Sequence, residues 1–150
     1  MHQYATDESR VLVLGGVKFP GEHGLSGHSD ADVVAHSIAD AMLGAAGLGD
    51  LGMHFSDQDE RWKGADSLDL LARVAQLVES EGFKLTNADC TVVCERPRLV
   101  GSREEMMSKL SAAAGGPVHV KGTRPEGLGA LGRREGIACM AVALLEPVAS

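Results

Sequence analysis

The stretch GHSDADVVAH, Gly27 to His36, leads directly into an Ala- and Gly-rich run that ends at Gly49-Asp50. Two histidines and two aspartates fall within these residues, just where the apolar pattern turns helical. Ser29 or Asp30 suits a helix N-cap, because a short oxygen-bearing side chain can accept from the first free backbone N–H groups. Val33, Val34, Ser37, Ile38, Ala41 and Met42 then follow at helical spacing. A helix from about Asp30 to Ala46 is predicted, with the polar cluster on its first two turns.

Working outward, Val11–Leu14 is a β-rich run ended by Gly15-Gly16, and Pro20-Gly21 opens a loop that leads into the cluster. Gly47 to Ser67 alternates glycines with aspartates and predicts a long surface loop of functional type. Ser67–Ser80 returns to helical spacing and closes at Glu81-Gly82. Ala88–Glu95 is a strand stopped by Arg96-Pro97-Arg98, and Ser102 caps a helix to about Ala113 with Glu104 and Glu105 in its first turn. Gly115-Gly116-Pro117 turns into a strand at Val118–Lys121, and a glycine-rich loop, Gly122 to Gly136, precedes a last strand, Ile137–Leu145. The near-continuous apolar run of that strand predicts burial on both faces.

The fold class is therefore α/β (α+β), one domain over residues 1–150, with helices on one face of a small sheet. The bare face needs a cover, and in a chain this short the economical cover is another copy of the chain. Fourteen Lys and Arg against 21 Asp and Glu give a net charge of −7, which disfavours nonspecific binding to nucleic acid. No apolar run is long enough to span a membrane. Cys90, Cys94 and Cys139 have no CxxC spacing, so they read as reduced thiols, and the expectation is a soluble cytoplasmic protein.

Asp32, His36 and Asp40 repeat at four-residue spacing on one helix face, an arrangement in which a carboxylate can orient a metal-bound imidazole. A solvated face with an ion pair explains the same spacing equally well. His28 and Ser29 stand at a helix entry, where free N–H groups favour an anion such as phosphate. Asp50, Asp57 and Asp59 could hold hydroxyls or a metal, or could be solvated turn residues. Arg96, Arg98, Arg124 and Arg133 supply positive charge beside Gly or Pro in predicted loops, and Glu126 stands between Pro125 and Gly127, accessible to a hard cation. Together these residues fit a metal-assisted enzyme acting on a phosphorylated small molecule.

Three blocks occur in one order: Gly24 to Ser67, VVCERPRL at Val92 to Leu99, and VKGTRPEGLGALGRREGIA at Val120 to Ala138. They resemble the 2-C-methyl-D-erythritol 2,4-cyclodiphosphate synthases of the non-mevalonate isoprenoid pathway over nearly the whole chain. The resemblance implies a four-stranded mixed sheet with helices on its outer face, trimerising through the sheet face, and active sites between adjacent subunits. It implies Zn²⁺ on the terminal phosphate of the diphosphate and Mg²⁺ or Mn²⁺ bridging the two phosphates. The implied substrate is 4-diphosphocytidyl-2-C-methyl-D-erythritol 2-phosphate, whose 2-phosphate attacks the β-phosphorus and expels CMP.

Carried over by position, His2 and His36 would be zinc ligands and Glu126 would bind the second metal. His28 and Ser29 would hold phosphates, Asp50 and Gly52 would contact the erythritol, and Phe55, Asp57 and Asp59 would belong to a flap over it. Cys94, Arg96, Pro97, Arg98, Leu99, Thr123 and Arg124 would meet the cytidine and its phosphate from a neighbouring subunit. Arg133 would lie near the trimer axis, where family members can hold an isoprenoid diphosphate. The family usually carries Asp-Val-His, both end residues binding zinc, whereas this chain reads Met1-His2-Gln3-Tyr4 and offers Asp7 only by folding back. Thr123-Arg124-Pro125 stands where hydroxyl residues are usual, Ala130 where an aromatic is usual, and Arg134 where glycine is usual. A metal-poor nucleotide or isoprenoid-diphosphate binding module and a metal-dependent phosphohydrolase are the alternatives.

Overall fold

The computed structural model describes residues 1–148. Its elements are β1 (His2–Gln3), β2 (Val11–Leu14), β3 (Val17–His23), α1 (Val33–Ala46), α2 (Leu51–His54), a 3-10 turn (Glu60–Trp62) and α3 (Ser67–Ser80). β4 (Phe83–Val93), α4 (Arg103–Ala114), β5 (Val118–Thr123), α5 (Gly129–Gly132) and β6 (Gly136–Pro147) complete the chain. The main sheet has the order β1-β6-β4-β5, with β4 parallel to β5 and antiparallel to β6. The mixed four-stranded sheet is as expected, but its membership differs. The strand expected at Val11–Leu14 pairs with β3 in a separate ribbon, and the fourth place in the sheet is taken by β1.

Two further differences have local causes. Pro20-Gly21 lies inside β3, where the ribbon register jumps from Leu12↔Phe19 to Val11↔His23, so the irregularity read as a loop is a bulge. β4 begins at Phe83 rather than Ala88. Its register shifts between Leu85 and Asn87, so the buried side chains step from Leu85 to Ala88 and the period of two is broken there.

Helix α1 starts later than Ser29 or Asp30. Ala31 takes the left-handed conformation (φ 61°), which a right-handed helix cannot pass through, and Asp32 becomes the N-cap by accepting from the N–H groups of Val34 and Ala35. The helix closes at Gly47, also left-handed. Ser102 holds the N-cap position of α4 without a side-chain capping bond. The segment read as a loop from Gly47 to Ser67 contains α2 and the 3-10 turn.

Val34, Ile38, Met42 and Leu43 of α1, Leu71 and Val74 of α3, and Met106 and Leu110 of α4 are fully buried against the sheet. Each contributes about 1.5–3 kcal/mol by leaving water. On the other face of β6, Met140, Val142 and Leu144 are 63%, 74% and 58% exposed. The burial on both faces expected for this strand is therefore not met within one chain. Among the described residues no helix is long and apolar enough to cross a membrane.

Candidate functional site

The loop before α1 is held from several sides. Ser26 donates to the carbonyl of Gln3, Gly64 donates to the carbonyl of His28 at 2.8 Å, and Asp30 donates to the carbonyl of Ala65. The Arg10 guanidinium donates to the carbonyls of Gly27 and Ser29 at 3.0 and 2.7 Å. Such a fork fixes two carbonyls together and turns the His28-Ser29 segment toward one face. Gly27 is required by space, since a Cβ there would stand 2.8 Å from that of Ala31.

His36, on the first turns of α1, places Nδ1 3.1 Å from Nε2 of His2. Its Nε2 lies 2.9 Å from Oγ of Ser67 and 3.2 Å from Oγ of Ser29. Burial, followed by the charge of His2, lowers the His36 pKa to about 4, so its imidazole is neutral at ordinary pH. Burial and the N-terminal ammonium lower that of His2 as well. Two neutral imidazoles with facing nitrogens are good ligands for a borderline-soft cation.

The helix-face arrangement suggested by the spacing does not form. Asp32 is fully buried and its carboxylate accepts from the N–H groups of Gly15, Gly16, Val34 and Ala35, which ties the β2–β3 turn to the start of α1. Burial raises its pKa to about 6 against the pull of those N–H groups. Asp40 accepts from the N–H of Leu51. The carboxylate connected to His36 is instead that of Asp30, through Ser67, and sequence spacing alone gave no sign of it.

A cavity of about 380 Å³ opens beside the histidines and is lined by His2, His28, Ser29, His36, Gly52, Phe55, Asp57 and Trp62. Asp50 and Asp59 are not among its lining residues. Asp50 caps α2 by accepting from Met53, and Asp59 accepts from the Arg61 guanidinium at 2.6 Å, which holds its pKa down. His28 Nε2 lies 3.2 Å from the carbonyl of Asp59, linking the loop to the segment opposite. Trp62 was not anticipated, although its being the one tryptophan in the chain was a signal. It packs edge-on against Phe55, with ring centroids 5.0 Å apart and Arg61 and Arg73 over its ring.

A second cavity, of about 580 Å³, lies elsewhere on the chain. Cys94, Pro97, Arg98, Leu99, Thr123, Arg124 and Glu126 line it, joined by Glu95 and Arg103, which sequence inspection did not single out. Arg124 donates to Glu126 at 3.3 Å and lies 3.7 Å from Glu95, whose other oxygen accepts from the N–H of Gly127. Glu126 has φ 52°, so its exposed carboxylate is presented from a left-handed backbone. Burial raises the Cys94 thiol to about 11 and keeps it protonated. Arg96 is not among the lining residues, and its carbonyl accepts from the Tyr4 hydroxyl. Arg133 lines a third cavity with Tyr4, Glu22, His23 and Arg134.

Among the described residues no three His, Cys, Asp or Glu side chains converge as a metal-holding group. Asp7 is exposed and accepts from Ser9, so it does not join His2 and His36.

A mixed sheet backed by helices, a histidine-lined polar pocket and a separate cationic cleft define a small-molecule enzyme of the α/β class. The chain belongs to the YgbB family, whose model matches residues 1–146. It is 50% identical over 149 residues to the 2-C-methyl-D-erythritol 2,4-cyclodiphosphate synthase of Geobacillus thermodenitrificans, covering 97% of this chain and 92% of that protein. It is 55% identical over 147 residues to the bifunctional enzyme IspD/IspF of an Anaeromyxobacter species, covering 96% of this chain and 37% of that longer protein. Among solved structures, the CDP complex of IspF from Plasmodium falciparum matches with a TM-score of 0.83 at 30% identity, over 99% of this chain and 92% of that one.

Proposed function

We propose that this chain, as a single domain over residues 1–150, converts 4-diphosphocytidyl-2-C-methyl-D-erythritol 2-phosphate to 2-C-methyl-D-erythritol 2,4-cyclodiphosphate and CMP in non-mevalonate isoprenoid biosynthesis. One observation carries this reading beyond the family match. The histidine pocket and the cationic cleft have complementary chemistry and share no lining residue. A substrate with a phosphorylated polyol at one end and a cytidine at the other needs both, and a neighbouring subunit can bring them together.

The exposed Met140, Val142 and Leu144 support a homotrimer closed through the sheet face. In that assembly the cleft of one subunit, with Arg98, Thr123 and Arg124, faces the pocket of the next. Cys94, Pro97 and Leu99 frame the cytidine, while Gly52, Phe55 and Asp57 surround the erythritol. Arg134, beside an Arg133 that is paired with Glu135 at 2.7 Å, would carry the positive charge that an isoprenoid diphosphate at the axis needs. The free cysteines suit a reducing cytoplasm.

Tetrahedral zinc with Zn–N bonds of about 2.0–2.1 Å sets two ligand nitrogens roughly 3.3 Å apart. The 3.1 Å between His2 and His36 fits that spacing. His2 and His36 would hold Zn²⁺, and Glu126 would hold Mg²⁺ or Mn²⁺ once released from Arg124. When bound, these cations neutralise the charge that accumulates on the phosphates.

The remaining work is positioning, because the attacking 2-phosphate is already an anion and requires no protein base. Ser29 and His28 donate to the phosphates and hold the 2-phosphate in line with the β-phosphorus. A new P–O bond forms there as the bond from the β-phosphorus to the bridging oxygen breaks, and CMP leaves carrying that electron pair. Arg98 and Arg124 stabilise the departing phosphate.

Phosphorus NMR of the reaction tests the proposal. A cyclic diphosphate with one equivalent of CMP is expected. Orthophosphate release would establish a phosphohydrolase instead, and CDP binding without turnover would establish a binding module.

A further inference from the structure

We propose that Asp30 and Ser67 are positioning residues that fix which nitrogen of His36 carries its proton, and so which nitrogen the chain offers to a metal. This rests on the zinc reading given above for His2 and His36, and it concerns residues to which that reading gives no role.

Ser67 is 1% exposed at the first position of α3, and its hydroxyl has one hydrogen to give. It stands in very close contact with the Asp30 carboxylate, which can only accept. The Ser67 hydrogen is therefore spent on Asp30. At 2.9 Å from His36 Nε2, the Ser67 oxygen can then only accept; the Ser29 hydroxyl, farther off at 3.2 Å, can accept from the same N–H, so the closer contact favours the imidazole hydrogen on Nε2. A neutral imidazole has one such hydrogen, so Nδ1 keeps its lone pair, aimed at His2 Nε2 3.1 Å away.

Asp30 is itself held in place. The N–H of Asp32 donates to Oδ1 at 3.1 Å and the N–H of Ser67 to Oδ2 at 3.2 Å. Its carboxylate cannot rotate away without losing both bonds. Asp32 and Asp40, the other carboxylates near this helix face, are occupied by backbone N–H groups and do not reach His36. Orientation of a ligating imidazole by a carboxylate commonly governs metal affinity, and in this chain the carboxylate acts through a serine.

Long-range nitrogen–proton correlation spectra of the metal-free protein above pH 7, with zinc affinity by chelator competition, test the assignment. The wild type should show His36 as the Nε2–H form. Ser67→Ala should populate the Nδ1–H form and weaken zinc binding about 10–100-fold. Ser67→Thr, which keeps the hydroxyl, should retain both properties, and Asp30→Asn, whose amide can accept or donate, should give a mixture of tautomers. An unchanged Nε2–H form in Ser67→Ala would overturn the proposal, as would unchanged zinc affinity. A general packing role for Ser67 would lower the melting temperature without moving the tautomer, and that result also overturns it. If wild type and His36→Ala bind zinc equally, the zinc reading fails, while the metal-free spectra still decide the relay.

Discussion

His2 and His36 are 34 positions apart in the chain, yet their Nε2 and Nδ1 atoms meet at 3.1 Å. The contact forms because β1 is paired to the first residues of β6 while α1 packs across the same sheet.

Burial of His36 makes stability pH-dependent in metal-stripped protein. Its folded pKa, about 4, lies below the ordinary value of 6.5. The unfolded chain therefore binds the proton first as pH falls, and the folded state loses stability between pH 6.5 and 4 and no further from this group below that. The loss is about 3 kcal/mol. Urea unfolding across that window should show a smaller slope for His36→Gln than for wild type; identical slopes would remove His36 as the cause.

Arg10 touches neither cavity's chemistry directly, but its guanidinium spans the carbonyls on either side of His28. Arg10→Met should lower kcat/KM about tenfold by loosening the His28-Ser29 loop. Arg10→Lys, with one compact ammonium, should recover only part of that. Steady-state kinetics indistinguishable from wild type would show that the loop holds its shape without the fork.

Asp32 gives the fold a stability test independent of catalysis. Asp32→Ala strands four N–H groups and should cost about 3–5 kcal/mol. Asp32→Asn should cost less, because its oxygen can serve the three donors now on Oδ1, leaving only Gly16 to face an NH₂ group. Denaturant melts giving equal losses for the two variants would contradict this geometry.

Arg134 holds a φ of 61° where a side chain is strained. Arg134→Gly should stabilise the protein by about 1 kcal/mol and raise Tm by about 2–4 °C. A lower Tm would mean that contacts of the arginine outweigh its backbone strain.

How much was legible in the sequence depended on whether the signal was local. Helices α1 and α3 follow from apolar periodicity, and Gly47 marks the end of α1. β3 and the first half of β4 did not follow, because each carries a bulge that interrupts the period of two at Pro20-Gly21 and at Thr86. The histidine pair could be placed only through family resemblance, since pairing across 34 positions leaves no spacing to read. Asp30, Ser67 and Arg10 were missed for the same reason. Their roles arise where the loop, α1 and α3 meet, whereas the regular Asp32-His36-Asp40 spacing pointed to carboxylates that the backbone had already taken.

The central claim is that one active site is built from the histidine pocket of one subunit and the Glu126 cleft of the next. Subunit exchange between His36→Ala and Glu126→Ala, each expected to be inactive alone, tests it most directly. In an equimolar random trimer, about one quarter of the inter-subunit sites combine an intact pocket with an intact cleft. CMP release should therefore return to about one quarter of the wild-type rate. No recovery, with mass spectrometry showing that mixed trimers have formed, would mean that pocket and cleft do not cooperate between subunits.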